Sequence, residues 1–348
     1  MEFHRLGQRT VLLPNQPKLV AGAAIAGKKE GEGPLGQEYD AVIEDDLFGE
    51  ETWEKAECRF YYTAASTCLT KAGMTPEQVD VLLGGDLLNQ IIVASMAARE
   101  LKIPFLGLYG ACSTMAESLC VGAMLVDGGH MHNALCVASS HFCSAERQYR
   151  FPLEYGSQRT PTAQWTVTGS GASLLSLEEN APAIARCTHI TVGTVTDLGI
   201  ADANNMGAAM APAAADTLTR HFCDTGRTAE DYDLIITGDL GRVGHDVLLQ
   251  LMKERGYPLV FERYMDCGLQ VFDANQDVHA GGSGCGCSAI VLNSLILRRL
   301  REGSLKRVLF MATGALMSTT SSQQGGTIPG IAHAIVLEGG CTACSGHS

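Results

Sequence analysis

The chain carries one passage twice. Residues 73–87 read GMTPEQVDVLLGGDL and residues 226–240 read GRTAEDYDLIITGDL. Each copy opens on a glycine suited to ending a helix, follows with a threonine cap, and sets an aspartate ahead of an apolar strand that runs into Gly-Asp-Leu. The neighbouring pieces recur in the same order. GACSTMAESLCVGAMLVDGG followed by NALCVASS is echoed by GGSGCGCSAIVLNSLILRRLREG followed by RVLFMATG, and TGSGASLLSLE at 168–178 is echoed by IPGIAHAIVLE at 328–338. Three ordered echoes at similar spacing mean two halves built alike. Each half reads strand, helix, strand, helix, strand and a closing hairpin. Apolar strands alternating with helices predict α/β halves whose parallel-rich sheets are covered on both faces. The expected boundaries are 1–180 for the first half, 181–340 for the second and 341–348 for a flexible tail. Packed face to face, such halves bring their strand-to-helix turns together near the middle.

Within that plan the spacing predicts a helix over 52–72 with Gly73 as its stop, a Thr75-Pro76 turn, a strand over 79–84 and a helix over 88–99. The turn of most chemical interest is Leu108-Tyr109-Gly110-Ala111-Cys112-Ser113-Thr114, between the apolar run Ile103–Leu106 and a helix from Ser113 to about Val126. Ser113 or Thr114 is placed to cap that helix. A cysteine held at a helix start faces unpaired N–H groups, which favour the thiolate and lower its pKa. Cys112 therefore reads as a nucleophile or an anion-binding corner, and equally as a small buried hydrophobe.

Composition excludes several classes. A formal charge of −13 with no basic run speaks against a nucleic-acid surface. No stretch approaches the roughly 18 apolar residues of a membrane span, and no basic-then-apolar leader follows Met1, so a soluble or peripheral protein is expected. The thirteen cysteines are scattered through apolar runs rather than spaced as a disulfide framework, which suits a reducing compartment. Cys341-Thr342-Ala343-Cys344 with His347 is half of a metal site without a second half, and reads as tail. Cys285-Gly286-Cys287 reads as close packing of small residues, and Asp45-Asp46 with Glu50-Glu51 as a solvated acidic face.

Residues 142–167, FCSAERQYRFPLEYGSQRTPTAQWTV, form an insertion between the copies with three arginines, Arg147, Arg150 and Arg159. A long irregular segment beside a cleft is a candidate lid or a contact for a second copy.

The duplicated plan and the Gly-Ala-Cys-Ser-Thr turn resemble the thiolase and ketoacyl-synthase superfamily. Within it the chain resembles the stage V sporulation AD family, the dipicolinic acid uptake proteins of spore-forming Firmicutes. The stretches that carry this likeness are Lys29–Gly36, Tyr109–Thr114, Ser139-Ser140-His141, Glu146-Arg147-Gln148 with Arg150-Phe151-Pro152, and Thr162–Gly169. The resemblance implies a duplicated thiolase-like fold in layers α/β/α/β/α. In the superfamily's enzymes the second half supplies a histidine and a second histidine or asparagine to the cysteine. The matched turns here, Gly238-Asp239-Leu240-Gly241 and Ala280-Gly281-Gly282-Ser283-Gly284, contain neither. His245 and His279 lie a few residues off register. Without a proton-handling partner and donors for a developing oxyanion, most of the rate enhancement is missing.

What the resemblance implies is therefore binding: a non-enzymatic component that binds dipicolinic acid (pyridine-2,6-dicarboxylate) and supports its movement from the mother cell into the forespore. The implied ligand residues are Cys112, Ser139, Ser140, His141, Arg147, Arg150, Trp165, Gly282 and Ser283, with Thr168, Gly169 and Gly171 letting a strand pass close by. A flat dicarboxylate calls for charge-assisted donors at its carboxylates and flat walls for its ring. No resident cofactor or metal is implied; calcium accompanies dipicolinate in spores, but no motif here calls for it. The implied partners are other stage V sporulation A proteins of the forespore inner membrane, with no nucleic acid. The related enzymes pair through their first-half sheets, which by the strand after the cysteine helix, Ala134–Ser139, implies a homodimer. Two other functions stand beside this one: an acyl-thioester enzyme of thiolase or ketoacyl-synthase type using Cys112, and a scaffold subunit without a small ligand.

Overall fold

The computed structural model describes residues 4–149 and 159–339. Its first half runs β1 (Lys18–Gly27), α1 (Trp53–Ala72), β2 (Val81–Gly85), α2 (Ile92–Leu101), β3 (Phe105–Gly107), α3 (Thr114–Asp127), β4 (Asn133–Ser140), α4 (Phe142–Tyr149) and β5 (Gly169–Ser176). The second runs β6 (Ala185–Thr191), α5 (Met206–Thr225), β7 (Leu234–Thr237), α6 (Gly241–Glu254), β8 (Tyr264–Asp266), α7 (Cys285–Val291), β9 (Arg307–Ala315) and β10 (Gly330–Gly339). Hydrogen bonds link the strands in the order β3-β2-β4-β5-β1-β6-β10-β9-β7-β8, which reads the same from either end when the halves are exchanged. In each half the second strand is parallel to its two neighbours and the last strand is antiparallel to both of its own.

Helices α1 and α2 cover the outer face of the first sheet, and α5, with α6 packed on it, covers the second. Between the sheets lie α3 and α7, each touching strands of both halves. Both are mostly buried, α7 along its whole length, and carry chiefly apolar and small side chains. Met115, Leu119 and Ala123 of α3 share one buried cluster with Cys285, Cys287 and Ile290 of α7, Leu83 and Cys136 of the first sheet, and Phe310 and Ile335 of the second. The layering is α/β/α/β/α.

The repeat extends to individual hydrogen bonds. Gly73 and Gly226 end α1 and α5 with φ of 66° and 68°, a backbone that costs glycine nothing. Thr75 with Gln78 and Thr228 with Asp231 form matching capping boxes. Asp80 accepts the amides of His132 and Asn133, and Asp233 accepts those of Lys306 and Arg307, so each ties the start of its strand to the start of a parallel neighbour.

Some expectations shift. The helix expected from 88 begins at Ile92, because the Asp86 carboxylate takes the Leu88 and Ala94 amides and Gln90 and Ile91 adopt φ of 58° and 47°. The insertion opens as a helix, α4, not as an irregular segment; its residues 150–158 lie outside the described residues, as does the tail. The strand assigned to a second copy, Ala134–Ser139, needs correction. It lies in β4, hydrogen-bonded to β2 on one side and β5 on the other, and has no edge to offer. The free edge of the first sheet is β3, where Leu106 and nearby Tyr109 are 49% and 43% exposed.

Candidate functional site

Cys112 sits where the two halves meet. The turn after β3 tightens through Ala111, at φ 50°, and the hydroxyls of Ser113 and Thr114 donate back to the Gly110 and Ala111 carbonyls instead of capping α3. From the second half, β9 approaches so closely that a Cβ on Gly314 would stand 2.1 Å from the Gly110 oxygen. This contact leaves the thiol buried, facing the turn after β7.

That turn presents Asp239, whose carboxylate lies near enough to the Cys112 thiol to act on it. Asp239 accepts from Thr313 Oγ1 at 2.9 Å, Ser283 Oγ at 3.0 Å and the Gly284 amide at 3.0 Å. A carboxylate has about four lone-pair sites, so these three donors take most of them. Burial pushes the Cys112 thiol well above its ordinary range and the Asp239 carboxylate adds to the rise. Here the expectation of a lowered thiol pKa is corrected: loss of water and an adjacent carboxylate outweigh the helix-start amides. The thiol stays protonated beside a carboxylate that three other donors already hold. An imidazole in this turn would take its proton; this carboxylate holds it in place. Asp239 is the residue that sequence reasoning missed, although the repeat had already marked the position as the counterpart of Asp86.

Neither nearby histidine turns toward the sulfur. His245 stacks on Tyr264 at 4.8 Å with Nδ1 on Asp246, and His279 bonds the Thr160 carbonyl and Asp277. Ser283 serves Asp239, and Gly282 pairs with Trp165 in a two-residue parallel ribbon, Trp165–Thr166 with Gly282–Ser283. Ser139 donates to Glu57, and Ser140 donates to the Val167 carbonyl while accepting the Gly286 amide. Arg147 forms an ion pair with Glu54 and lies 5.4 Å over Trp53, on the outside of the first half. Arg150 lies outside the described residues.

His141 and Trp165 come together elsewhere, at a cavity of about 290 Å³. Its walls are the turn after β1, with Lys28, Lys29, Glu30 and Glu32; Asp46; the corner of β4 and α4, with His141, Phe142 and Cys143; and Trp165 and Thr168 ahead of β5. Asp46 lines this cavity from an exposed position, in keeping with a solvated acidic face that it shares with Asp45 and Glu51. Phe142 stacks on Trp165 at 3.8 Å, nearly parallel at 11°. Two cations also approach the ring: Lys29 Nζ lies 3.8 Å and Arg159 Cζ 4.8 Å from its centre. Among the described residues Lys29 forms no ion pair, while Lys28 faces Glu44 at 3.5 Å. His141 accepts the Cys143 amide at Nδ1 and so donates from Nε2 to the Asp46 carbonyl; burial lowers its pKa, leaving a neutral wall. Glu30, 1% exposed, accepts the Thr168 amide at 2.9 Å, and burial lifts its pKa to about 7.

The duplicated five-strand halves, the two central helices and the cysteine turn define a protein of the thiolase and ketoacyl-synthase fold. Solved structures agree at the level of fold: cerulenin-bound OleA of Xanthomonas campestris (TM-score 0.60, 14% identity, 97% of this chain and 99% of that one) and human mitochondrial 3-ketoacyl-CoA thiolase in complex with CoA (0.57, 14%, 96% and 100%). The 3-oxoacyl-[acyl-carrier-protein] synthase III of Aquifex aeolicus VF5 is similar too (0.55, 15%, 92% and 99%). Closer relatives decide the family. Residues 7–338 match the model for stage V sporulation protein AD, and the Bacillus subtilis (strain 168) protein of that name is 51% identical over 332 residues, 95% of this chain and 97% of its own. The chain belongs to the stage V sporulation protein AD family, with a role in handling dipicolinate during sporulation.

Proposed function

We propose that the chain binds dipicolinate in the cavity between Lys29 and Trp165, and that it does so at the forespore inner membrane, handing the ligand to other stage V sporulation A proteins. The observation that carries this reading is Lys29 lining a cavity against the Trp165 ring, with Arg159 beside the same ring. A lysine and an arginine suit two carboxylates, and the Phe142–Trp165 stack with the neutral His141 ring gives a planar ligand its walls. No described helix is long and apolar enough to cross a membrane, so attachment falls to the partner proteins. The cysteine turn belongs to the joint between halves, where its polar atoms are already hydrogen-bonded.

The homodimer moves, in this reading, from β4 to β3, whose free edge carries exposed Leu106 and Tyr109 beside Ile92 at 45% exposure. Calorimetric titration of the full chain with dipicolinate tests the site. Lys29→Ala and Trp165→Ala lower affinity by about tenfold or more, as loss of a charge-assisted partner or an aromatic wall does. Cys112→Ala and Arg147→Ala bind as the parent does. Undiminished binding in the first pair, with loss in the second, would transfer the site to the cysteine turn.

A further inference from the structure

Resting on the cavity reading above, we infer that Glu30 makes ligand binding proton-linked: its neutral form admits a flat dianion and its ionised form opposes one. Glu30 is the carboxyl buried in the cavity, fixed by the Thr168 amide against the ammonium-bearing turn. Gly27 lets it lie there, since a Cβ at that position would stand 2.7 Å from Glu30 Oε2. An incoming dicarboxylate enters a cavity that Glu30 lines from a buried position, where its charge is less screened than at an exposed site and like charges repel.

The charges that face Glu30 come from every neighbouring element. Lys28, Lys29 and Glu32 share its turn, Asp46 comes from the acidic loop, and His141 and Cys143 come from the β4–α4 corner. Arg159 and Asp277 act on Lys29, and buried Tyr39 feels Glu30 itself. His141 is held neutral by burial and the Cys143 thiol is pushed up to about 11, so neither changes charge near neutrality. Burial raises Glu30 to about 7, while Lys29 lowers it and Asp46 raises it further. A dianion placed beside Lys29 competes for the ammonium and adds negative charge, and both effects favour the protonated carboxyl. Binding therefore takes up a proton, and affinity falls as pH rises through 7.

The test is calorimetric titration of the full chain with dipicolinate from about pH 6 to about pH 8, in buffers of different ionisation enthalpy. If ionised Glu30 excludes the ligand, affinity falls about tenfold across that range with net proton uptake. In Glu30→Gln, which keeps an acceptor for the Thr168 amide, the profile is flat. Proton uptake measured on the parent protein does not depend on the variant's folding. Binding with no pH dependence overturns the role of Glu30 and leaves the cavity reading standing. An unchanged slope in Glu30→Gln also overturns it, by moving the proton to Lys29. Absence of binding at every pH overturns the cavity reading itself.

Discussion

Asp86 and Asp239 occupy the same place in the two copies, each closing a Gly-Asp-Leu turn at the end of a parallel strand, and they do different work. In the first half Asp86 turns inward on its own chain, taking the Leu88 and Ala94 amides and fixing where α2 begins. In the second half Asp239 reaches across, gathering Ser283, Gly284 and Thr313 and closing on Cys112 of the other half. The local task of Asp239's turn passes to Asp266, which takes the Leu240 and Gly241 amides. Duplication preserves the backbone plan. What each turn does depends on which surface the opposite half brings to it.

Replacing the two aspartates separates those tasks. Asp239→Ala strands three buried donors at the joint between halves, and a loss of about 3 kcal/mol or more in denaturant unfolding is expected. Asp86→Ala strands two amides within one half and costs about 2 kcal/mol. Equal losses would mean that the joint is no more demanding than a helix start. Asp80→Ala and Asp233→Ala, whose roles coincide, should differ from each other least.

The halves also diverge with pH. The buried histidines of the second half, His189, His221 and His333, are depressed to about 4, about 3 and about 4, chiefly by burial. Their folded values lie below the unfolded one, so the stability tied to them is present above about pH 6.5 and drains away as pH falls toward 4. In the first half burial raises Glu57 and Asp86, and the Asp86 charge adds to the rise of Glu57. Raised carboxyl values act on the other side, with stability present in acid and lost as pH climbs through neutrality. Glu57→Gln should therefore lose less stability than the parent between about pH 5 and about pH 8. A parallel loss in both proteins would mean that Glu57 is ionised without penalty. The smallest effect belongs to Cys112→Ala: about 1 kcal/mol, because one buried sulfur is removed and Asp239 keeps its three hydrogen-bond donors.

Much of the fold was legible because repetition, caps and strand-length apolar runs are local signals. The terminating glycines, the Thr75 and Thr228 boxes and the paired Asp80 and Asp233 are all visible in the two copies. The register of strands in the sheet was not, since a chain's order in sequence does not say which strand becomes an edge; β4 was misplaced for that reason. The site was legible only in pieces. His141 and Trp165 reach the cavity, but Lys29 and Glu30, sitting in what reads as a glycine-rich loop, gave no periodic signal. Their mark was chemical: a carboxyl followed by glycine, next to a lysine, in a turn that also resembled the family. The cysteine turn drew attention because its pattern is that of a nucleophile, and nothing local reveals that a carboxylate already held by three donors faces it.

The central claim is that the ligand meets Trp165 and not Cys112, and the chain's two tryptophans allow a direct reading. In full-length Trp53→Phe protein, Trp165 is the sole tryptophan, and dipicolinate should change its emission saturably, with the same curve when Cys112→Ala is added. A ligand that binds by calorimetry while leaving Trp165 emission untouched, or whose signal vanishes with Cys112, would contradict the account.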